Sequence, residues 1–173
     1  MVARVTFSTV FLLIIVLIYR KKYKKTVQDK YDELNQKHTL KDICMFCSIA
    51  ANSNKRTLYE DEDMFLVQDV APRAAVHLLM IPKRHIKNIW ALREQDKALL
   101  DKMKKNVLKV LKKDNDKELT IGFHNPYFTT INHVHMHIIG GKRSGLRYWL
   151  EFGNNFVFKS FTKVHNSLTH KMI

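Results

Sequence analysis

The chain has 173 residues, of which 46% are hydrophobic and 10% aromatic, so a wholly disordered chain is excluded. This length allows one ordinary domain with an appendage, and only two cysteines exclude a disulfide framework. The formal net charge of +14 favours contact with phosphates or anionic lipid without identifying a fold.

The first predicted element is an N-terminal membrane anchor at residues 1–20. Residues 5–19 are apolar apart from Thr6, Ser8 and Thr9, and the basic run Arg20-Lys-Lys-Tyr-Lys-Lys follows at once. Fifteen helical residues span about 22 Å, and counting from Met1 brings this close to the ~30 Å of a hydrocarbon core. A cleaved signal peptide is the alternative, but here the strongest positive charge follows the apolar run. The positive-inside rule then predicts a single-pass protein whose domain faces the cytosol.

Residues 21–42 are predicted to form a basic juxtamembrane stalk. They lack glycine and proline, and Val27, Tyr31 and Leu34 recur at the spacing of a weakly amphipathic helix. Basic residues beside a bilayer attract anionic lipid at about 1 kcal/mol each, so the stalk is expected to support membrane attachment.

From Cys44 onward the pattern predicts an α+β domain with an antiparallel sheet. Apolar residues recur at helical spacing between Leu92 and Lys113, which indicates one long helix. Short connections between the first strands favour antiparallel pairing. Residues 146–173 mix aromatic and basic residues without a clear period and receive no assignment. The predicted strands are residues 57–60, 64–69, 74–81, 119–123 and 133–139.

Three histidines alternate with apolar residues in the run His133-Val-His-Met-His-Ile-Ile. Successive side chains of a strand point to opposite faces, so His133, His135 and His137 are expected on one face, ~6.6–6.8 Å apart. A buried imidazole needs partners for two ring nitrogens, and such a row is therefore not typical of a core strand. The row indicates a metal or an anionic substrate.

These residues and the blocks before them resemble the histidine triad (HIT) family, whose signature is His-φ-His-φ-His-φ-φ with φ apolar. The resemblance covers about Cys44 to Gly140 and implies a HIT domain at 43–145, with 146–173 as its basic and aromatic extension. The matching blocks are Cys44-Met-Phe-Cys-Ser-Ile, Leu58-Tyr-Glu-Asp-Glu-Asp, Gln68-Asp-Val and Val76-His-Leu-Leu-Met-Ile-Pro-Lys-Arg-His-Ile.

The resemblance implies a small α+β fold, usually a homodimer, that binds purine nucleotides and cleaves at the α-phosphorus. His135 would be the nucleophile, forming a nucleotidyl-histidine that water hydrolyses. A neighbouring backbone carbonyl would leave its attacking nitrogen unprotonated. His137 would donate to a phosphate oxygen. Thr130 would contact the phosphate and leaving group, and His124 would lie near the leaving group.

Further residues are implied to bind the nucleotide. Asp69 matches the acid that accepts from the ribose hydroxyls, while Thr130 and His137 bind the phosphate. His77 would support the catalytic row, with a satisfied core histidine as the alternative. The implied apolar slot for the base, for which core packing is the alternative, consists of Phe46, Ile49, Leu66 and Val70.

Four residues match the positions that hold structural zinc in many HIT proteins: Cys44, Cys47, His85 and His133. Two thiolates and two imidazoles suit tetrahedral Zn²⁺. An empty, reduced Cys-x-x-Cys pair is the alternative. A closed four-ligand site leaves no position for a zinc-bound water, so the metal would be structural.

Three functions follow from the resemblance. The first is a membrane-anchored hydrolase that releases AMP from adenosine phosphoramidates such as AMP-lysine. The second is a deadenylase of 5′-adenylated nucleic acid, which the positive charge favours. Against it stand the predicted anchor and residues 141–173, which contain no cysteine for a zinc finger. The third is a nucleotide-binding scaffold without catalysis, against which the intact histidine row argues.

Overall fold

The computed structural model describes residues 44–51 and 57–169. The predicted anchor (1–20) and stalk (21–42) lie outside the described residues, and within the described part no helix has the length and apolarity to cross a bilayer. The helices are α1 (Met45–Ala51), α2 (Lys97–Val110), α3 (Gly145–Phe152) and α4 (Phe161–Ser167), with a 3₁₀ turn at Glu94–Asp96. The strands are β1 (Thr57–Glu60), β2 (Met64–Gln68), β3 (Ala74–Pro82), β4 (Leu119–His124), β5 (Met136–Arg143) and β6 (Phe158–Ser160).

Six antiparallel strands form one sheet in the order β1-β2-β3-β5-β4-β6. The predicted α+β class with an antiparallel sheet is therefore confirmed. Val67 pairs with Leu79, and Leu79 pairs with His137. Residues in register share a face of the sheet, so the side of β5 that carries His137, here called the histidine face, continues across β3 to β2. Leu66 precedes Val67 and points to the other face.

The two faces of the sheet bury different clusters. The larger core packs against α2, whose Leu100, Met103 and Val107 are 0% exposed and recur at helical spacing. Burying each such side chain contributes about 1.5–3 kcal/mol. On the histidine face, the smaller cluster under α1 contains Phe46, Phe65, Val67, Leu79 and Ile81.

The long helix predicted from Leu92 to Lys113 is shorter in the structure. A 3₁₀ turn comes first, because buried Asp96 accepts from the Arg93 backbone N–H at 2.8 Å and fixes the chain entering α2. Lys112 has a φ of 52°, which lies outside the helical region and terminates the helix. The apolar period predicted the helix, but the capping contacts decide its ends.

The strand predicted from His133 begins at Met136. The His133 N–H donates to the Ile131 carbonyl at 2.9 Å and the Val134 N–H to the Ile86 carbonyl at 2.7 Å, so these amides leave the ladder. Of the three histidines, His137 alone lies within the regular strand. The other two sit on the segment entering it.

Residues 146–173, unassigned from the sequence, contribute α3, β6 and α4 to the same domain as far as Thr169, where the described chain ends. Strand β6 pairs with β4 through the register of Gly122 with Ser160. A Cβ atom at Gly122 would lie 2.2 Å from the carbonyl oxygen of Lys159. A glycine is therefore required where these two strands approach.

Candidate active site

His135 is held in the tautomer that a nucleophile needs. Its Nδ1 lies 2.7 Å from the backbone carbonyl oxygen of His133, which accepts only, so Nδ1 carries the proton. Nε2 keeps its lone pair. Burial lowers the pKa of His135. A neutral imidazole with an unprotonated Nε2 therefore faces the site.

A chain of hydrogen bonds fixes the protons of two further histidines. The backbone N–H of Arg73 donates to His77 Nδ1 at 3.1 Å, so neutral His77 carries its proton on Nε2. That Nε2 lies 2.9 Å from His137 Nδ1, which must accept. The proton of His137 consequently sits on its own Nε2.

The Nε2 atom of His137 is buried and meets no hydrogen-bond partner among the described residues. Burial, followed by the neighbouring imidazoles of His124, His135 and His77, holds the pKa of His137 well below its usual value. Leaving a buried donor unsatisfied costs about 1–3 kcal/mol. This donor is therefore available to a substrate atom.

Asp69 lies beside this chain. Its Oδ2 is 3.3 Å from His77 Nε2 and 4.0 Å from His137 Nδ1. Its Oδ1 accepts from the Ala71 N–H at 2.8 Å. Burial lowers the pKa of His77 more than the Asp69 charge raises it, so His77 is a neutral imidazole beside the Asp69 side chain. The ribose contact implied for Asp69 remains a prediction.

Helix α3, in the segment left unassigned from the sequence, forms one wall of the site. The ring of Phe152 on α3 lies 4.8 Å from that of His124 and 5.4 Å from those of His77 and His137. The His124 ring is 4.6 Å from the His137 ring, so the structure brings these predicted residues together. Thr130 lies exposed on the β4–β5 loop, between His124 and His133.

The predicted base slot needs correction. Phe46 and Ile49 do lie on the histidine face, where the Phe46 ring is 5.2 Å from that of His135. Leu66 does not, because it points to the opposite face and belongs to the larger core. Val70 is 86% exposed and lies two residues beyond the end of β2. Phe65 and Val67 lie on the histidine face instead. Strand alternation sets them apart from Leu66, but the pairing of β2 with β3 decides which set meets the histidines.

The four predicted zinc ligands also meet, with all their ligand atoms within 4.8 Å of one another. His133 Nδ1 lies 3.3 Å from Cys44 Sγ and 3.5 Å from Cys47 Sγ, and His85 Nδ1 lies 3.2 Å from Cys47 Sγ. Tetrahedral zinc, with Zn–S about 2.3 Å and Zn–N about 2.0–2.1 Å, separates sulfur from nitrogen by about 3.5 Å. The Pro82 carbonyl, 2.8 Å from His133 Nε2, leaves Nδ1 unprotonated for a metal. The donor set therefore fits zinc.

The family model described as "Scavenger mRNA decapping enzyme C-term binding" matches residues 43–148. The chain is 35% identical over 117 residues to adenosine 5′-monophosphoramidase HINT3 of Danio rerio, covering 65% of this chain and 72% of that protein. It is 37% identical to the bifunctional adenosine 5′-phosphosulfate phosphorylase/adenylylsulfatase HINT4 of Arabidopsis thaliana, covering 54% and 67%.

Solved structures of histidine triad proteins also resemble this chain. A HIT family hydrolase from Legionella pneumophila Philadelphia 1 superposes with a TM-score of 0.51 at 27% identity, covering 58% of this chain and 94% of that one. The aprataxin ortholog Hnt3, solved in complex with DNA, shares the fold with a TM-score of 0.55 at 21% identity, covering 71% and 72%. The chain belongs to the histidine triad family. Within that family it is a nucleotide hydrolase.

Proposed function

We propose that this protein hydrolyses adenosine phosphoramidates, releasing AMP and an amine, through a nucleotidyl-histidine. The observation that carries the proposal is the pair of complementary tautomers at neighbouring rings, whose centroids are 4.9 Å apart. His135 offers a lone pair to phosphorus, and His137 offers an N–H to a phosphate oxygen. The monophosphoramidase name of a relative at 35% identity supports this substrate class.

In the proposed reaction His135 Nε2 forms a bond to the α-phosphorus as the phosphorus–amine bond breaks. The amine takes up one proton as it leaves, and His124 lies beside His137 where the leaving group is expected. Water then forms a bond to phosphorus, loses one proton and displaces His135. The proton that water releases replaces the one that the amine takes up, and the products are AMP and the free amine. His137 Nε2–H stabilises the negative charge on the phosphate oxygen in both steps.

The test is turnover of an adenosine phosphoramidate of lysine by the full-length chain, beside the variant His135→Ala. We expect AMP release by the wild type and none by the variant, with labelled AMP trapped on wild-type His135 in acid-quenched samples. Product formation without a trapped adduct, or persisting in the variant, contradicts the mechanism. Asp101→Ala changes an exposed residue paired with His165 and serves as the control that keeps full activity.

The second candidate function is deadenylation of 5′-adenylated nucleic acid, which the net charge of +14 favours. The same preparation is given adenylated DNA at several salt concentrations. Turnover of DNA alone, falling steeply with salt, establishes this function in place of the first. Nucleotide binding without turnover of either substrate leaves a scaffold.

We further propose that Cys44, Cys47, His85 and His133 hold one structural Zn²⁺. The donor distances above support this, and the ion would fix α1 and the segment entering β5 to the end of β3. We expect one zinc per chain by metal analysis, and a lower melting temperature after treatment with a chelator. Cys47→Ala, which removes one thiolate, should lose the metal. A stable, fully folded protein without stoichiometric zinc contradicts the proposal.

Membrane anchoring by residues 1–20, with the domain facing the cytosol, and a homodimer also remain proposals. We expect the full chain to resist alkaline extraction from membranes, and a chain starting at residue 21 to be released. Light scattering of the detergent-extracted protein measures the oligomer. Release of the full chain contradicts the anchor, and a mass of one protomer contradicts the dimer.

A further inference from the structure

Arg73, on the loop between β2 and β3, links two separate parts of the site. Its backbone N–H donates to His77 Nδ1 at 3.1 Å. Its guanidinium donates through Nε and Nη2 to the two carboxylate oxygens of Glu151 on α3, at 2.8 and 3.1 Å. The two side chains are 16% and 31% exposed. Helix α3 is thus joined to the first hydrogen bond in the chain that links Arg73, His77 and His137.

The peptide at Arg73 is held on its other side as well. The backbone N–H and the Oγ of Ser144, just before α3, both lie 2.8 Å from the Arg73 carbonyl oxygen. Arg73 Nη1 donates to the Ala71 carbonyl at 2.9 Å. A bidentate guanidinium–carboxylate pair fixes geometry as well as supplying energy. The position of the Arg73 amide therefore depends on the placement of α3.

We propose that Arg73 and Glu151 are positioning residues through which helix α3 sets the proton pattern of the catalytic histidines. The inference rests on the proposed phosphoramidate hydrolysis. With the bidentate Arg73–Glu151 pair (the clamp) formed, the Arg73 amide donates to His77 Nδ1 and the proton of His137 sits on Nε2. With the clamp broken, His77 Nδ1 loses its donor, and only the Asp69 carboxylate, 3.3 Å from His77 Nε2, still holds the proton there. In molecules whose His77 proton moves to Nδ1, His77 Nε2 accepts from His137 Nδ1, and the donor facing the phosphate is lost.

Breaking the clamp should change the kinetics differently from a general loosening of the packing. The phosphate of the bound substrate still meets the same pocket, but the charge that develops in the transition state meets one donor fewer. We therefore expect a fall in kcat with little change in KM. A misplaced positioning group lowers the rate by about ten- to a hundred-fold.

The test uses the full-length chain, ¹⁵N-labelled at histidine, with Glu151→Gln as the main variant. We expect kcat to fall about ten-fold with KM within about two-fold, and the ¹⁵N shifts of His77 to show its proton moving to Nδ1. Glu118→Gln breaks an exposed ion pair with Lys113 and is the matched control, expected to change neither readout. The reciprocal pair Arg73→Glu with Glu151→Arg should recover most of the lost kcat.

Unchanged kcat and unchanged His77 shifts in Glu151→Gln overturn the inference, as does an equal loss in Glu118→Gln. If Glu151→Gln does not fold, Arg73→Lys keeps the charge and the amide but loses the bidentate contact. It should then show the same kcat loss and the same His77 change, and their absence overturns the inference. A wild type that releases no AMP refutes the proposed function, while the His77 shifts still decide whether the clamp exists.

Discussion

Single residues in this site act through where their protons sit. The carbonyl of His133 and the amide of Arg73, both backbone groups, leave Nε2 of His135 without a proton and Nε2 of His137 with one. Neither tautomer requires an ionised side chain, because burial lowers the pKa of both rings. Nucleophile and donor are thus two copies of one residue type, distinguished by their backbone neighbours.

Replacing His137 should separate chemistry from binding. His137→Ala removes the Nε2–H donor, and the loss of one such donor typically lowers kcat by about 10²–10³. His137→Gln, whose amide can donate, should recover part of that loss. Steady-state kinetics on the phosphoramidate measures both variants. An effect confined to KM would show that His137 binds substrate and transition state equally.

Asp96 has a structural role at the entry to α2. Its side chain is 4% exposed, accepts from the Arg93 N–H at 2.8 Å, and pairs with Arg84. Asp96→Ala removes two hydrogen bonds to a buried carboxyl group, so we expect a loss of about 2 kcal/mol in the free energy of unfolding. Asp101→Ala, at an exposed ion pair, should change it by less than about 0.5 kcal/mol. Urea denaturation measures both, and equal losses would contradict the role given to Asp96.

At the scale of elements, the C-terminal segment completes both the sheet and the site. Strand β6 joins the edge of β4, and α3 places Phe152 over the histidines. The segment contains two elements that depend on each other's position, since only residues 153–157 separate the end of α3 from β6. A change that displaces β6 is therefore expected to reach the active site.

Gly122→Ala tests this dependence. The new methyl would lie 2.2 Å from the Lys159 carbonyl oxygen, which is backbone and cannot give way without moving β6. We expect a loss of about 1–3 kcal/mol in unfolding free energy and faster amide exchange in residues 158–160. Gly140→Ala, whose methyl first meets the flexible Leu119 side chain at 2.9 Å, should cost less. Equal exchange rates in the two variants would contradict the packing argument.

At the scale of the whole molecule, the histidine cluster makes stability depend on pH. His77 and His137 both have a pKa below the usual 6.5, chiefly through burial. Near pH 6.5 the unfolded chain therefore binds more protons than the folded chain, and the free energy of unfolding decreases as the pH falls below that value. The groups that face this pair are Asp69, Arg73, His124, His135 and Glu151.

We expect the unfolding free energy to decrease between pH 7.5 and 5.5 by up to about 1.4 kcal/mol per pH unit for each such histidine. Urea denaturation at several pH values measures this slope. His77→Gln removes one titrating group and should make the slope shallower. A slope that is unchanged in the variant, or that rises in acid, would contradict the direction of these shifts.

The sequence alone determined the family, the α+β class and the histidines that gather on one face of the sheet, because motif spacing and strand alternation are local properties. It also identified four cysteine and histidine positions whose donor atoms do converge. Tertiary structure decided what no local pattern contains. Leu66 and Val67 differ only by the face to which the sheet turns them, and Glu151 reaches Arg73 across 78 positions of sequence. The proton on His137 is set by such distant partners, through the Arg73 amide and His77. The proton on His135 is set by the His133 carbonyl, which the fold of the segment entering β5 brings against the ring. In both cases the ring nitrogen responds to the group that folding packs against it.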